Sequence, residues 1–142
     1  MARIKLEMPQ TFLFQTAIPV RITDINYGGH AGNDSILSII HEARMQFLKH
    51  WGCDEKNFFG TGLIMNDVAI QFKKEVFYGD ILEVSVTIQD IEKAGFDIIY
   101  KLNITKADRT ETAVIAKTGM VCFDYNTKKI TAVPQEAKKK GL

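Results

Sequence analysis

One stretch limits what this chain can become: Thr23 to Trp51, TDINYGGHAGNDSILSIIHEARMQFLKHW. It opens as a loop of glycines and polar residues and continues as one long apolar helix. Ile36, Ile40, Ala43, Phe47 and Trp51 recur at helical spacing and form a stripe. Leu37, Ile39, Met45 and Leu48 widen that stripe well beyond a half-buried surface helix. Ser38, Glu42, Gln46 and Lys49 mark the remaining polar side. Asn33 or Asp34 can cap the start, and Gly52 can stop the end. A helix this apolar has to be covered.

What surrounds it in the chain is strand. Phe12, Phe14, Ile18, Val20 and Ile22 follow a period of two, and Pro19 assigns that strand to an edge or a bulge. After a loop over 54–62, residues 63–77 read as one long strand, with Ile64, Val68, Ile70, Phe72 and Val76 on one face. Leu82, Val84, Val86 and Ile88 give the next strand. Phe96, Ile98, Tyr100, Leu102 and Ile104 give another, and residues 112–125 the last long one. Turn signals separate them at Tyr78-Gly79-Asp80, Lys93-Ala94-Gly95, Ala107 to Thr110 and Asn126 to Lys129. The tail PQEAKKKGL reads as polar and frayed. Strand, long helix, then four strands joined by hairpins gives an α+β fold. A curled antiparallel sheet of about five strands wraps one central helix.

The length of 142 residues suits one domain over 1–142 with a core of its own. A net charge of +1 argues against a dedicated nucleic-acid binder. No stretch is apolar enough for a membrane span or a signal peptide. Cys53 and Cys122 read as free thiols in a reducing compartment, so the cytoplasm is the expected location. The histidines do not form a metal site, because His41-Glu42 lacks the second His of H-E-x-x-H. His41 and His50 read as structural.

Two segments resemble the hotdog-fold thioesterases, specifically the 4-hydroxybenzoyl-CoA thioesterase-like group. The first is Arg21-Ile-Thr-Asp-Ile-Asn-Tyr-Gly-Gly-His-Ala-Gly-Asn33 with Glu42-Ala43-Arg44 on the helix. It is similar to that group's R-x-x-D-x-D-x-x-G-H-x-N-N followed by E-A-R. The second, Val76-Phe-Tyr-Gly-Asp-Ile-Leu-Glu-Val84, is similar to its G-D-x-L-x-V turn. The order of elements matches too, so the resemblance spans nearly the whole chain. It implies hydrolysis of an acyl-CoA thioester, with no metal or redox cofactor. Two departures stand out. The second Asp of the D-x-D pair, often the catalytic carboxylate, is Asn26 here, and Gly32 replaces the first of the paired asparagines. Plant acyl-carrier-protein thioesterases have a similar loop, and a helix glutamate of theirs falls at Glu42.

The chemistry needs a base or nucleophile, donors for an oxyanion, and a groove for the acyl group. Asp24 or Glu42 is the candidate carboxylate. The blander reading of Asp24 is a loop hydrogen bond, and that of Glu42 an exposed flank or a pair with Arg44 or Lys49. An enclosing sheet would partly bury Glu42 and raise its pKa toward a general base. His30 is the third catalytic candidate, its alternative being a loop hydrogen bond. Asn26, Tyr27, Gly29 and Asn33 are the substrate-binding candidates, with the thioester carbonyl near residues 29–32. Arg44 reads as structural, paired with a nearby acid. Asn66 and Asp67 are neighbours in a strand, so only one faces inward, and solvent is the plainer home for both. Lys73, Lys74 and the tail lysines could meet CoA phosphates or simply be solvated.

Bare sheet edges imply a homodimer, and the resemblance adds dimers of dimers with active sites between subunits. Within enzymes the alternative is an acyl-carrier-protein thioesterase, with a hotdog dehydratase behind it. Outside them it is a non-catalytic acyl-CoA-binding module, which Asn26 keeps open.

Overall fold

The computed structural model describes residues 3–141. Strand β1, Phe14–Pro19, leads through a single 3-10 turn at Ile22–Asp24 into helix α1, Asn33–His50. Then come β2 (Gly62–Phe72), β3 (Ile81–Gln89), β4 (Gly95–Lys106), β5 (Arg109–Asp124), the two-residue β6 (Lys129–Ile130) and a short helix α2 (Gln135–Lys140). The sheet is antiparallel, in the order β1-β3-β4-β5-β2, with β6 adding to the end of β5. Among the described residues no helix is long and apolar enough to cross a membrane.

The expected architecture holds, with β6 as a sixth strand. The buried stripe of α1 is Ile36, Ile39, Ile40, Ala43, Phe47 and Leu48. It packs on the inward residues of the sheet: Leu82, Val84 and Val86 of β3, Ile98, Tyr100 and Leu102 of β4, and Val114, Ala116 and Met120 of β5. These positions alternate along each strand, as a half-buried sheet requires. Pro19 lies at the end of an edge strand, opposite Ile81, where its missing donor breaks no central ladder. Ala107 and Asp108 both have positive φ and join β4 to β5 as a two-residue hairpin whose turn matches the twist of the strands.

Several expectations are corrected. The helix begins at Asn33 behind Gly32, which has no side chain to cap it, so neither Asn33 nor Asp34 is the cap residue. At its other end Gly52, at positive φ, donates to Lys49 O, and Cys53 N–H reaches back to Leu48 O, ending the helix where glycine was expected to end it. The strand expected over 63–77 stops at Phe72 and carries a bulge at Asn66. One extra residue reverses the side-chain alternation. Ile64, opposite Val121, therefore faces away from the helix, while Val68, opposite Thr118, faces it. Asn66 and Asp67 are both exposed at the bulge, the solvent-facing reading expected for them. The tail is not frayed: Val133 and Ala137 are buried, and α2 packs its Ala137 into the main core.

The back of the sheet is also covered, which the strand pattern did not indicate. Ile99 and Ile115 point away from α1 and yet are buried. The segment before β1 crosses this face. Leu6 N–H donates to Gln71 Oε1 at 2.7 Å, and Lys101 Nζ stands 5.3 Å above the Phe12 ring.

Candidate active site at the head of the long helix

The loop between β1 and α1 is knit by its own backbone. Asn26 N–H donates to His30 O at 2.9 Å, and Gly29 N–H to Asn26 O at 3.1 Å. Asn26 Oδ1 accepts from Gly28 N–H at 2.9 Å and from His30 N–H at 3.4 Å. Gly29 has a φ of +88°, which only a residue without Cβ adopts readily. Asn26 is thus the internal scaffold of the turn. Tyr27, at its tip, is wholly exposed and touches nothing else in the chain's core.

These bonds occupy the donors expected to face a thioester. Ala31 N–H donates to Val76 O at 2.7 Å, and Gly32 N–H to Asp24 O at 3.1 Å. Every backbone N–H from Gly28 to Gly32 is therefore engaged within the chain. The open donors lie one step further on. The first three residues of a helix have no intrahelical acceptor, and Gly32 offers no side chain to satisfy them. The N–H groups of Asn33, Asp34 and Ser35 stand at the positive end of an 18-residue helix.

A cavity of about 170 Å³ opens there. One wall is His30, Ala31, Asn33 and Ile36, and the other runs from Phe72 to Val76 with Val114 as floor. A second irregularity builds that far wall. The register between β4 and β5 shifts after Leu102, leaving Ala113 as the extra residue of β5. Its carbonyl accepts both Lys73 N–H at 2.8 Å and Lys74 N–H at 3.1 Å, which ends β2 and turns the chain toward the helix head.

His30 is held in one tautomer. Its Nδ1 lies 3.0 Å from Ala31 O, and a carbonyl only accepts, so Nδ1 carries the proton. In the neutral ring Nε2 then offers its lone pair beside Gly28, where an added Cβ would stand 3.7 Å away.

The two carboxylates singled out in the sequence are elsewhere. Asp24 is 4% exposed, and its carboxylate accepts Arg21 N–H at 2.8 Å and Arg21 Nη2 at 3.3 Å. This is the loop hydrogen-bond reading. Glu42 is exposed, which is the flank reading rather than the partly buried one, and its Oε2 accepts Gln46 Nε2 at 2.7 Å. The sheet covers one side of α1 only, and Glu42 faces the other. Asp24 and Glu42 line a different cleft of about 310 Å³, between β1 and α1, which shares no residue with the helix-head cavity. The structure thus brings His30 and Asn33 together and separates both from Asp24 and Glu42.

Arg44 is the buried charge of the helix, and its acid is Glu55. His41, read as structural, hydrogen-bonds the same Glu55 at 2.8 Å. Both cysteines are free. Burial pushes the Cys122 thiol above its ordinary pKa, which leaves it a poor nucleophile. The cavity residue that sequence reasoning missed is Glu75. It lies in what the periodicity assigned to strand, and only the early end of β2 places it at the cavity.

Comparison with known proteins agrees with the fold. A 1,4-dihydroxy-2-naphthoyl-CoA hydrolase of Microcystis aeruginosa is 26% identical over 122 residues, covering 84% of this chain and 86% of that protein. Among solved structures, a 1,4-dihydroxy-2-naphthoyl-CoA thioesterase from Synechocystis superposes with a TM-score of 0.74 at 22% identity, over 89% of this chain and 93% of the other. An Asp-to-Asn mutant of 4-hydroxybenzoyl CoA thioesterase, complexed with 4-hydroxybenzoyl CoA, superposes with a TM-score of 0.79 at 13% identity, over 91% and 98%. Both structures share the curled sheet and central helix. The family model described as the thioesterase-like superfamily matches residues 20–141, almost the whole of the chain described above, and the chain belongs to that superfamily.

Proposed function

We propose that this chain hydrolyses an acyl-CoA thioester to a carboxylic acid and free CoA, with the helix-head cavity as its carbonyl site. The observation that carries the reading is the pairing of open N–H donors at Asn33 to Ser35 with the free Nε2 of His30. A thioester carbonyl oxygen directed at the helix head would gain donors as it becomes an oxyanion, and the dipole would favour its charge. His30 Nε2 would accept a hydrogen bond from the attacking water. Asn33 would hold the acyl carbonyl. Lys73, on the outer wall, would meet the CoA diphosphate. Phe72, Ile36, Val76 and Val114 give the cavity an apolar side for the acyl group, and the aromatic acyl-CoAs named in the relatives are the first to try.

The same reading includes a second copy of the chain. Of the two sheet edges, β1 is short and carries Pro19, whereas β2 is 11 residues long. It exposes Ile64, Met65, Val68 and Phe72. Pairing of β2 with its copy would cover them and bring a partner beside Phe72, at the cavity rim. Two free thiols suit a cytoplasmic home.

The test is thiol release from a panel of short, long, straight and aromatic acyl-CoAs, with the protein's own thiols subtracted. Turnover on some members supports the hydrolase. Stoichiometric binding with every thioester intact supports the non-catalytic acyl-CoA module instead, which Asn26 favours. Faster turnover of the same acyl group on acyl-carrier protein moves the carrier assignment.

A further inference from the structure

Hydrolysis at the helix head requires a group that takes a proton from water, and the position where related thioesterases often hold an acid is Asn26, an amide that does not titrate. Asp24 is buried under Arg21 and opens on another cleft, and Glu42 is exposed on that same cleft. Asp34 folds back over the helix start, its Oδ1 2.6 Å from where a Cβ on Gly32 would stand. One acidic residue lines the helix-head cavity, Glu75.

Its backbone is fixed on both sides. Lys73 and Lys74 are tied to Ala113 O, and the Val76 carbonyl accepts Ala31 N–H while the Val76 side chain is buried at 2% exposure. Glu75 therefore stands on an anchored step of chain, cross-linked to the residue that follows His30. The neighbouring cation is occupied, since Lys74 Nζ lies 3.7 Å from Glu111. Among the described residues Glu75 itself makes no ion pair or side-chain hydrogen bond, which leaves both of its oxygens available.

Resting on the hydrolase reading above, we propose that Glu75 is the general base of the reaction and shares the attacking water with His30. The two protein groups are acceptors, and water has two hydrogens. His30 Nε2 holds one and the Glu75 carboxylate takes the other, so a water lone pair is left to face the thioester carbon. The water oxygen bonds to that carbon as its proton passes to Glu75, and the carbonyl electron pair moves to oxygen. The oxyanion then re-forms the carbonyl and the carbon–sulfur bond breaks. The leaving thiolate of CoA takes the proton from Glu75, which restores the carboxylate.

The experiment compares wild type, Glu75→Gln and Glu75→Asp on the acyl-CoA that wild type turns over best, with kcat/KM followed from acid to neutral pH. The amide keeps a hydrogen-bond acceptor and loses the base. Glu75→Gln is expected to lower kcat about a hundredfold with KM little changed, and to remove the acid limb of the pH profile. Glu75→Asp restores part of the rate and the limb, which a purely structural role would not do. Circular dichroism and the melting temperature of both variants should match wild type, because the side chain is exposed. A Glu75→Gln enzyme with the wild-type rate and acid limb overturns the assignment while leaving the hydrolase intact. A wild-type chain that releases no thiol from any member overturns the hydrolase reading and this one with it.

Discussion

Arg44 Nη1 donates to Tyr100 Oη at 3.2 Å, in the interior between helix and sheet, and the same phenol shares a 2.8 Å hydrogen bond with Thr118 Oγ1. Arg44 Nε lies 3.4 Å from Glu55 Oε2, close enough for an ion pair but off line for a hydrogen bond. A buried arginine thus ties α1 to β4, β5 and the loop after the helix. Removing one member leaves the others wanting partners. Arg44→Leu should cost about 2 kcal/mol, toward the low side for a buried pair because Glu55 is still reached by water. Tyr100→Phe should cost about 1 kcal/mol. Urea midpoints of the two variants check the order, and a neutral Arg44→Leu would show the network to be dispensable.

Tyr100 also sets an alkaline limit. Burial pushes its phenol above the ordinary value, and the nearby Arg44 only partly draws it back. The unfolded chain releases this proton near pH ~10, and the folded chain holds it. Stability from this group is whole below that pH and falls as pH rises above it. Unfolding midpoints measured across that range should decline less steeply in Tyr100→Phe than in wild type. Parallel slopes would mean that Tyr100 ionises alike in both states.

His30 is expected to matter through Nε2 alone. His30→Gln should lower kcat about a hundredfold on the best acyl-CoA. Gly28→Ala is the finer probe. Its Cβ would stand in ordinary contact with His30 Nε2 at 3.7 Å but only 3.2 Å from Asn26 Oδ1, which has to give by a few tenths of an ångström and, as the acceptor of the His30 N–H, shifts the residue that carries the ring. A displacement of that order should cost about tenfold in kcat with little change in melting temperature. Full activity in Gly28→Ala would move the water away from Nε2.

Asp24 and Glu42 should separate cleanly from the chemistry. Glu42→Gln leaves an exposed hydrogen bond to Gln46 and nothing at the cavity, so the rate should stay within about twofold of wild type. Asp24→Asn weakens the contacts to Arg21 at the base of the loop and should lower the melting temperature by a few degrees, an effect on stability of about 1 kcal/mol. Loss of kcat in Glu42→Gln at unchanged stability would return catalysis to the cleft between β1 and α1.

What was legible in the chain was periodic. The stripe from Ile36 to Phe47 forced a covered helix, and alternation from Leu82 to Ile104 supplied the sheet that covers it. Two bulges were not legible, because a single extra residue leaves no mark in composition. The bulge at Asn66 sent Ile64 to the back of the sheet although Ile64, Val68, Ile70 and Phe72 keep one parity. The shift at Ala113 ended β2 early and turned Glu75 into a cavity residue. Glu42 stayed open between a partly buried base and an exposed flank for a related reason. Its helix is apolar on most faces, yet the sheet curls around only one side, and no spacing within the helix tells which polar residue that side spares. The donors at residues 29–32 looked free because glycines suggest an open backbone, whereas the turn closes on itself through Asn26 and Asp24.

The edge of β2 gives the last prediction. A long bare edge with exposed apolar side chains invites pairing, and a lysine placed there opposes it by burying a charge at the interface. Val68 is exposed at the unpaired edge and points toward the helix side of the sheet, so Val68→Lys should leave the monomer fold intact. Sedimentation equilibrium should show wild type as a dimer or a multiple of it and Val68→Lys as mostly monomer. If a partner completes the cavity at Phe72, kcat/KM should fall in step with the dimer fraction and recover at high protein concentration. A wild type that sediments as a monomer at assay concentration while turning over acyl-CoA would end the pairing argument. A monomeric Val68→Lys with full activity would instead place the whole site within one chain.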